Sequence, residues 1–373
     1  MKKRVFIITG EHSGDIHASR VAENLYKNYP DIEIEGVGAE ALENAGVKLF
    51  CNHKKMGAVG LTPKIILDHL LLGKRVLDYI KNDFKPDLVL LVDYGVFNLN
   101  IAKFLHKEGV KTFYYIPPQV WASRKWRLKT IKKYVDKVLC IFPFEKEMYE
   151  KEGIDVEYCG HPLVAELGEK ANKKEFFERH ELNLNRELVS IFPGSRQFEL
   201  KHLMKTFIMA AKVLKKRHPD IQFCVSHAPN LSDKVFDRYL KQCEFKVIKG
   251  ENTELLSVSD SLILASGTVA LEAAIYETPM LIAYRGPWFF YLVYLLVRCI
   301  KQVSLPNIIL GKDIVSELIQ HKLTVNNIVD ETEKLLYDKD YRQRYIAEIS
   351  HVKSKLSEKN SGGEAAKIII KNL

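Results

Sequence analysis

A carboxylate and a loop with two glycines each follow an apolar run typical of a buried strand. Asp93 ends the run that begins at residue 87, and a desolvated carboxylate beside a ligand cleft is suited to take a proton from an alcohol. The loop after the first run contains Glu11, Ser13 and Gly14 and is expected at the same rim, where open α/β sheets bind ligands. It lacks the glycine spacing of a dinucleotide site and the lysine of a P-loop. The alternatives are a helix N-cap for Asp93 and ordinary turn chemistry for the loop.

A segment in the second half of the chain is suited to bind an anion. Gly194 lets the backbone approach a ligand, and Ser195 and the amides of the following helix can face a phosphate. Arg196 supplies a guanidinium fork for a diphosphate. The alternative is a surface ion pair between Arg196 and Glu199.

A second anion-binding segment follows a later apolar run. Ser266, Gly267 and Thr268 present amides and hydroxyls at the start of a helix, and Glu272 lies one turn further on. Phosphate at the amides and ribose hydroxyls at the carboxylate would fit a nucleoside diphosphate. The alternative is a plain Ser/Thr cap with Glu272 in a capping box.

Several other kinds of site are not predicted. The 12 histidines form no H-E-x-x-H motif and no Cys/His quartet, so we expect no metal and no cofactor. No serine lies in a G-x-S-x-G elbow, which disfavours a serine hydrolase. Aromatic and basic residues mix between 121 and 129, but no RNA-binding or DNA-binding motif accompanies them. A nucleic-acid partner is therefore not predicted.

The apolar runs predict two series of parallel strands with helices between them. They are nearly continuous in apolar residues rather than alternating, as in strands that helices cover on both faces. The predicted strands are Val5–Thr9, Asp87–Asp93, Thr112–Ile116, Val138–Phe142 and Val156–Gly160, then Leu188–Phe192, Gln222–Ser226, Lys246–Ile248, Ser261–Ala265 and Met280–Tyr284. The predicted fold class is α/β, with two Rossmann-like, doubly wound parallel-sheet domains facing a cleft.

The length and a polar stretch set the expected domain boundaries. The chain has 373 residues, more than one hydrophobic core usually serves, and a charge-rich stretch follows residue 165. We expect a first domain over 1–165 and a second over 166–349. A C-terminal helix at 350–373 is expected to pack back on the first domain.

The net charge and two apolar segments of the sequence indicate which partners the protein is suited to bind. The formal net charge of +9 favours an anionic partner, and the six cysteines form no C-x-x-C pair, as in a reduced cytosolic protein. The apolar stretch from Trp288 to Val297 has about half of the roughly 20 residues that span a bilayer. Apolar residues beside Lys and Arg at 65–75 and 288–301 favour contact with a lipid surface, with buried core helices as the alternative.

Taken together, these segments resemble the lipid-A-disaccharide synthase family along nearly the whole chain. Each stretch is common by itself, and their order and spacing carry the resemblance. The matching stretches are Gly10 to Asp15, Met56 to Gly60, Lys85 to Asn98, Val120 to Ala122, Pro143 to Glu145, Gly160 to Leu163, Pro193 to Arg196 with Glu199, Ser266 to Thr268 with Leu271 and Glu272, and Ser304 to Asn307.

The resemblance implies a two-domain glycosyltransferase of the GT-B type that is inverting and metal-independent. Its donor would be UDP-2,3-diacylglucosamine and its acceptor 2,3-diacylglucosamine 1-phosphate. The products would be the β-1,6-linked lipid A disaccharide 1-phosphate, a lipopolysaccharide precursor, and UDP. Such an enzyme is cytoplasmic and peripherally bound to the inner face of the cytoplasmic membrane, and a homodimer stays an open alternative.

The resemblance also implies roles for individual residues. Asp93 would be the catalytic base, with Glu11 as the alternative, and the segment Ile65–Leu72 would meet acyl chains or membrane. Residues expected to bind UDP are Gly194, Ser195, Arg196, Ser266, Gly267, Thr268, Glu272 and Asn307. Residues expected in the acceptor-side loops are Ser13, Gly14, Asn98 and Trp121.

The sequence departs from the family pattern in the acceptor-side domain. The family's Asp-x-Pro-Asp-Phe-Asn is replaced by Asp-Tyr-Gly-Val-Phe-Asn at 93–98, and its Trp-Ala-Trp-Arg by Trp-Ala-Ser-Arg at 121–124. These changes bear on the acceptor and the base rather than on UDP. The alternatives are another UDP-GlcNAc-using GT-B enzyme, such as a 2-epimerase or a MurG-like transferase, and a non-catalytic protein that binds a UDP-sugar or lipid.

Overall fold

The strands of the described residues form two parallel sheets. The first sheet contains β1 (Arg4–Ile8), β2 (Glu33–Gly38), β3 (Lys48–Asn52), β4 (Leu88–Val92), β5 (Thr112–Tyr115), β6 (Lys137–Cys140) and β7 (Val156–Tyr158), in the order β3-β2-β1-β4-β5-β6-β7. The second contains β8 (Leu188–Phe192), β9 (Gln222–His227), β10 (Lys246–Lys249), β11 (Ser261–Ala265), β12 (Met280–Tyr284) and β13 (Ser316–Ile319), in the order β10-β9-β8-β11-β12-β13. In each sheet the order in which the chain adds strands changes direction once, between β1 and β4 in the first and between β8 and β11 in the second. We call this place the reversal point of the sheet.

Helices connect the parallel strands. In the first half they are α1 (His12–Asn28), α2 (Glu40–Asn44), α3 (Pro63–Tyr79), α4 (Gly95–Lys107), α5 (Arg127–Tyr134), α6 (Pro143–Lys151) and α7 (Pro162–Glu166). The second half has α8 (Lys173–Arg179), α9 (Gln197–Arg217), α10 (Asp233–Leu240), α11 (Asn252–Val258), α12 (Val269–Ile275), α13 (Leu305–Leu310), α14 (Val325–Tyr337), α15 (Lys339–Lys355) and α16 (Ser361–Asn372). A π-helical turn, Ile80–Phe84, extends α3.

The chain divides into two units in this computed structural model, which describes residues 2–52, 63–241, 243, 245–288, 291, 299–356 and 359–373. The first unit comprises Met1–Ala165 with Leu356–Leu373, and the second Glu166–Lys355. The stretch at 56–60 and most of the apolar stretch at 288–301 lie outside the described residues. Within the described residues, no helix has both the length and the apolar character needed to cross a membrane.

The C-terminal segment returns to the first unit later than residue 350. Helix α15 continues to Lys355 in the second unit, where it buries Tyr345, Ile349 and Val352. Helix α16 packs against α1, and Ser361 Oγ hydrogen-bonds Tyr115 Oη at 2.7 Å. The boundary expected at residue 350 is therefore wrong by part of one helix, because a continuous buried face holds α15 together.

The central strands form the two cores. Every residue of β4, β8 and β11 is buried, as the continuous apolar runs predict. Helices α4 and α9 pack apolar side chains against these strands. Some of the predicted site residues lie in the loops that follow strands: Glu11, Asp93, Trp121, Gly194, Ser195, Arg196, Ser266, Gly267 and Thr268. The others lie in helices: Ser13 and Gly14 in α1, Asn98 in α4, Glu272 in α12 and Asn307 in α13.

Candidate active site

The first unit brings two carboxylates together at the reversal point of its sheet. Strands β1 and β4 are neighbours, with Ile8 opposite Leu91, so the loops that follow them start side by side. Glu11 is in the first loop and Asp93 in the second, and burial together with the charge of Asp93 raises the pKa of Glu11. This reversal point is where doubly wound sheets bind their ligands.

Hydrogen bonds hold Asp93 in a left-handed backbone conformation. Its φ is 50°, and Tyr94 beside it has a φ of 54°. The carbonyl of Asp93 accepts hydrogen bonds from Tyr114 Oη at 2.7 Å and from Asn98 Nδ2 at 2.8 Å. The N-cap of α4 is Tyr94, so the N-cap alternative for Asp93 is wrong. The buried neighbours fix a conformation that costs an L-residue about 1 kcal/mol or more.

The environment of the two carboxylates raises the pKa of each. Burial raises the pKa of Asp93, while hydrogen bonds from the Tyr94 backbone N–H and the Ser13 hydroxyl act in the opposite direction. Partial burial and then the charge of Asp93 raise the pKa of Glu11. A carboxylate with a raised pKa is a stronger base, and it stays ionised at neutral pH when hydrogen bonds support the charge.

Close packing requires glycine at two positions, Gly10 in the first loop and Gly14 in the first turn of α1. A Cβ on Gly10 would lie 2.3 Å from the ring of Tyr94, and one on Gly14 would lie 2.5 Å from Thr9 Oγ1 and 3.4 Å from the Cβ of Asp93. The loop therefore packs directly against the second carboxylate loop.

Trp121 lies within the core of the first unit rather than facing a ligand. Its side chain is 7% exposed, and its Nε1 donates to Glu145 Oε1 at 2.9 Å. Glu145 is buried as well and accepts from the backbone N–H of Phe142, and burial raises its pKa to about 7. The expected contact of Trp121 with the acceptor is therefore replaced by a structural role. Trp121 anchors the loop that carries Arg124 and leads into α5, which begins at Arg127.

The second unit places Gly194, Ser195 and Arg196 at its own reversal point. Gly194 follows β8 with a φ of 102°, and a Cβ there would lie 2.1 Å from Glu199 Oε2. That carboxylate accepts the backbone N–H groups of Ser195 at 2.8 Å and Arg196 at 3.2 Å. These amides are therefore not available for the phosphate that the sequence predicts at them. The Arg196 side chain is 79% exposed and pairs only loosely with Glu199, at 3.4 Å.

The segment Ser266 to Thr268 follows β11, which neighbours β8 with Leu264 opposite Phe192. A Cβ on Gly267 would meet no atom within 4 Å, so the backbone here has open space beside it. Thr268 caps α12 without a side-chain hydrogen bond, so the capping-box alternative is wrong. Glu272 is half-buried, and burial, followed by the charge of Glu166, raises its pKa.

Asn307 has no side-chain hydrogen-bonding capacity left for a nucleotide. Its Nδ2 donates to the Val315 carbonyl and to Glu317, each at 2.9 Å. Its Oδ1 accepts from the backbone N–H groups of Ile314 at 2.9 Å and Val315 at 2.8 Å. The expected direct contact with UDP is therefore replaced by a structural role, in which the amide fixes the loop between α13 and β13.

The chain is similar to curated proteins along nearly its whole length. The family model for lipid-A-disaccharide synthetase matches residues 5–372. A lipid-A-disaccharide synthase from Coxiella burnetii (strain CbuK_Q154) is 35% identical over 372 residues, which cover 98% of each chain. Lipid-A-disaccharide synthase 1 from Legionella pneumophila is 34% identical over 360 residues, or 95% of this chain and 93% of that protein.

Solved structures share the fold at much lower identity. The UDP-GlcNAc 2-epimerase from Neisseria meningitidis, bound to UDP-GlcNAc, has a TM-score of 0.66 and 15% identity and covers 99% of this chain and 98% of its own. MurG from Acinetobacter baumannii has a TM-score of 0.62 and 12% identity and covers 99% of both chains. This likeness confirms the fold of two parallel-sheet α/β domains of the GT-B type. The sequence matches, rather than the fold, show that the chain belongs to the lipid-A-disaccharide synthetase family, glycosyltransferases of lipid A disaccharide synthesis.

Proposed function

We propose that this enzyme transfers 2,3-diacylglucosamine from UDP to the 6-hydroxyl of 2,3-diacylglucosamine 1-phosphate. Membership of the family implies a UDP-sugar donor and a lipid acceptor. The acceptor oxygen forms the bond to the anomeric carbon, the bond from that carbon to the diphosphate breaks, and UDP leaves. Attack from the face opposite UDP gives the β-1,6 linkage with inversion.

Asp93 is proposed as the base that takes the proton of the acceptor hydroxyl. The observation that carries this assignment is its position at the reversal point of the first sheet, with its backbone fixed by Tyr114 and Asn98. The Ser13 hydroxyl orients the carboxylate, and burial raises its pKa toward the range of an effective base. Inversion needs one base, so the second carboxylate, Glu11, is free to orient the sugar.

The second unit is proposed to bind UDP. The exposed guanidinium of Arg196 offers a charge-assisted contact for the diphosphate. The open backbone at Gly267, with the hydroxyls of Ser266 and Thr268, offers further donors. Glu272 would accept hydrogen bonds from ribose hydroxyls. Positive charge and donors near the diphosphate stabilise it as it leaves.

A peripheral position at the inner face of the cytoplasmic membrane is proposed as well. Both substrates carry acyl chains, and the chain has a net charge of +9 that favours an anionic lipid surface. Helix α3 exposes Leu67, Leu70 and Leu71, which are 55%, 67% and 53% exposed. Apolar side chains of this kind insert at the boundary of a bilayer.

The test mixes the protein with both substrates, without added metal, and follows the disaccharide by mass spectrometry across pH. Asp93→Asn should lower the rate by about 100-fold or more at every pH, the usual contribution of a general base. Asp155→Asn, which removes an exposed carboxylate of the same unit, is the control. If Glu11 were the base, Asp93→Asn would retain activity and move the acid limb of the rate profile to lower pH, because the charge that raises the Glu11 pKa is gone.

UDP binding is tested separately by calorimetry. Arg196→Ala should weaken UDP binding by more than about tenfold, since the substitution removes a charge-assisted contact. Lys201→Ala, which changes an exposed cation on the same helix, should leave the affinity unchanged. Equal affinities for the two variants would place the diphosphate elsewhere. Tight UDP binding without any disaccharide would favour another acceptor.

A further inference from the structure

An apolar groove runs along helix α4 of the first unit. Its volume is about 800 Å³, within the usual range for small-molecule sites. Helix α3 and its π-helical extension form one wall, and helix α4 forms the other. The apolar side chains that line the walls include Leu70, Leu77, Phe97, Ile101, Phe104 and Leu105.

The groove begins beside the proposed catalytic carboxylates. Glu11 and Tyr94 line one end, and Arg124 and Arg127 border the same end. The groove then follows α4 over its 13 residues, a length of about 20 Å. One end therefore lies within reach of the reaction, and the other lies far from it.

An ion pair lies at the opposite end of the groove. Lys81 Nζ and Glu108 Oε2 are 2.8 Å apart, and both residues line the groove. Lys81 comes from the π-helical turn after α3, while Glu108 follows α4 directly. A charged pair is a poor neighbour for hydrocarbon, because desolvating it is costly. The apolar part of the groove therefore ends at this pair.

Two positive charges converge at the end beside the carboxylates. Among the described residues, neither Arg124 nor Arg127 forms an ion pair with a carboxylate. Burial and the charge of Arg124 lower the pKa of Arg127, so the two guanidinium groups repel each other. An anion bound to both would relieve this repulsion and add charge-assisted hydrogen bonds. This end thus suits a phosphate, and the groove beyond it suits a hydrocarbon chain.

We propose that the groove binds one fatty acyl chain of the acceptor, that Arg124 and Arg127 hold the acceptor's phosphate, and that the Lys81–Glu108 pair limits the chain length. This assignment rests on the proposed function, because it takes the acceptor to be an acylated sugar phosphate. With a repeat of roughly 1.3 Å per carbon for staggered torsions, about 20 Å accommodates roughly fifteen carbons. Longer chains would meet the ion pair.

The binding test uses n-alkyl phosphates of 8 to about 18 carbons with the full-length protein and no donor, below their aggregation concentrations. Calorimetry should show affinity rising about twofold to fourfold per added carbon, as for burial of a methylene group. The rise should stop near fifteen carbons. Affinity that keeps rising to the longest chain would overturn the proposed limit, and no binding at any length would overturn the groove.

Two neighbouring leucines provide a test of whether the chain binds in the groove. Leu70 lines the groove, whereas Leu71 does not, and both are more than half exposed, so Asp is tolerated at either without disrupting the core. Leu70→Asp should weaken binding of the 14-carbon alkyl phosphate by about tenfold or more, whereas Leu71→Asp should leave its affinity unchanged. Equal losses in both variants would show that the effect is not specific to the groove and would overturn the assignment of the chain to it.

The arginines are tested by the preference for a charged headgroup. The double variant Arg124→Gln/Arg127→Gln should lose the preference for alkyl phosphates over neutral alkyl glucosides, while Lys125→Gln, in the same loop, should keep it. An unchanged preference in the double variant would overturn the phosphate site. Disaccharide synthesis without alkyl phosphate binding would contradict the groove alone, and binding without synthesis would contradict the proposed function alone.

Discussion

Ionisation of Glu145 should make the first unit less stable as the pH rises. The side chain is 2% exposed and accepts hydrogen bonds from Trp121 Nε1 and the Phe142 N–H. Burial nevertheless outweighs these bonds and raises its pKa from the usual 4.5 to about 7. The folded protein therefore prefers the neutral carboxyl group, while the unfolded chain ionises it at ordinary pH.

The size and the sign of the effect follow from this shift. A rise in pKa of this magnitude corresponds to a change of about 3 kcal/mol in the free energy of unfolding. The stabilising contribution is complete below pH 4.5, is lost as the pH rises from about 4.5 to 7, and is absent above that range. Between pH 5 and pH 8 the loss is about 2.5 kcal/mol.

The assay compares urea unfolding of the natural protein and Glu145→Gln at pH 5 and pH 8. The amide cannot ionise, so the natural protein should lose about 2 to 3 kcal/mol more than the variant over this interval. Glu150→Gln, on the same helix with a side chain that is 54% exposed, should follow the natural protein. Parallel profiles for the natural protein and Glu145→Gln would refute the reasoning, because Glu145 would then titrate alike in both states.

Three further substitutions test the structural roles assigned above. Gly194→Ala should weaken UDP binding by more than about tenfold in calorimetry, because its Cβ would displace Glu199 and strain a φ of 102°; unchanged affinity would contradict this. Asn307→Ala should lower the free energy of unfolding by about 2 to 4 kcal/mol in urea, since buried amide partners lose their hydrogen bonds; a loss below about 1 kcal/mol would contradict the structural role. Asn98→Ala should lower kcat and leave UDP affinity intact, because its amide holds the carbonyl of Asp93; an unchanged kcat would show that this bond does not position the base.

Carboxylates within strands explain why β2 and β13 are not predicted from the sequence. The ten predicted strands all occur, but β2, β3 and β13 were missed. In β2, Glu35 is 4% exposed and is paired with Lys48 Nζ and Tyr79 Oη, each at 2.6 Å. In β13, Glu317 accepts the backbone N–H groups of Val303 and Ser304. A carboxylate in a strand lowers its apolar signal, and the partners that make it acceptable lie far along the chain.

The same distinction separates what was and was not predictable in the site. Strand ends locate Asp93 and Arg196 because the chain order of a doubly wound sheet fixes where its ligands bind. The roles of Trp121 and Asn307 depend on partners that no local pattern reveals, Glu145 for one and Glu317 for the other. Polar residues in a family motif are therefore as apt to hold a loop as to contact a substrate.

The structure gives a physical meaning to Val96, which stands where the resemblance leads one to expect a second aspartate. Val96 is in the first turn of α4, is 62% exposed and lines the apolar groove. A carboxylate there would face hydrocarbon in the proposed acceptor complex and would repel the phosphate near Arg124. Asp93 and Glu11 remain as the carboxylates at the reversal point, and their pKa values are already raised without a third negative charge. The replacement thus removes a charge from the lipid path while the proposed base, Asp93, stays in place.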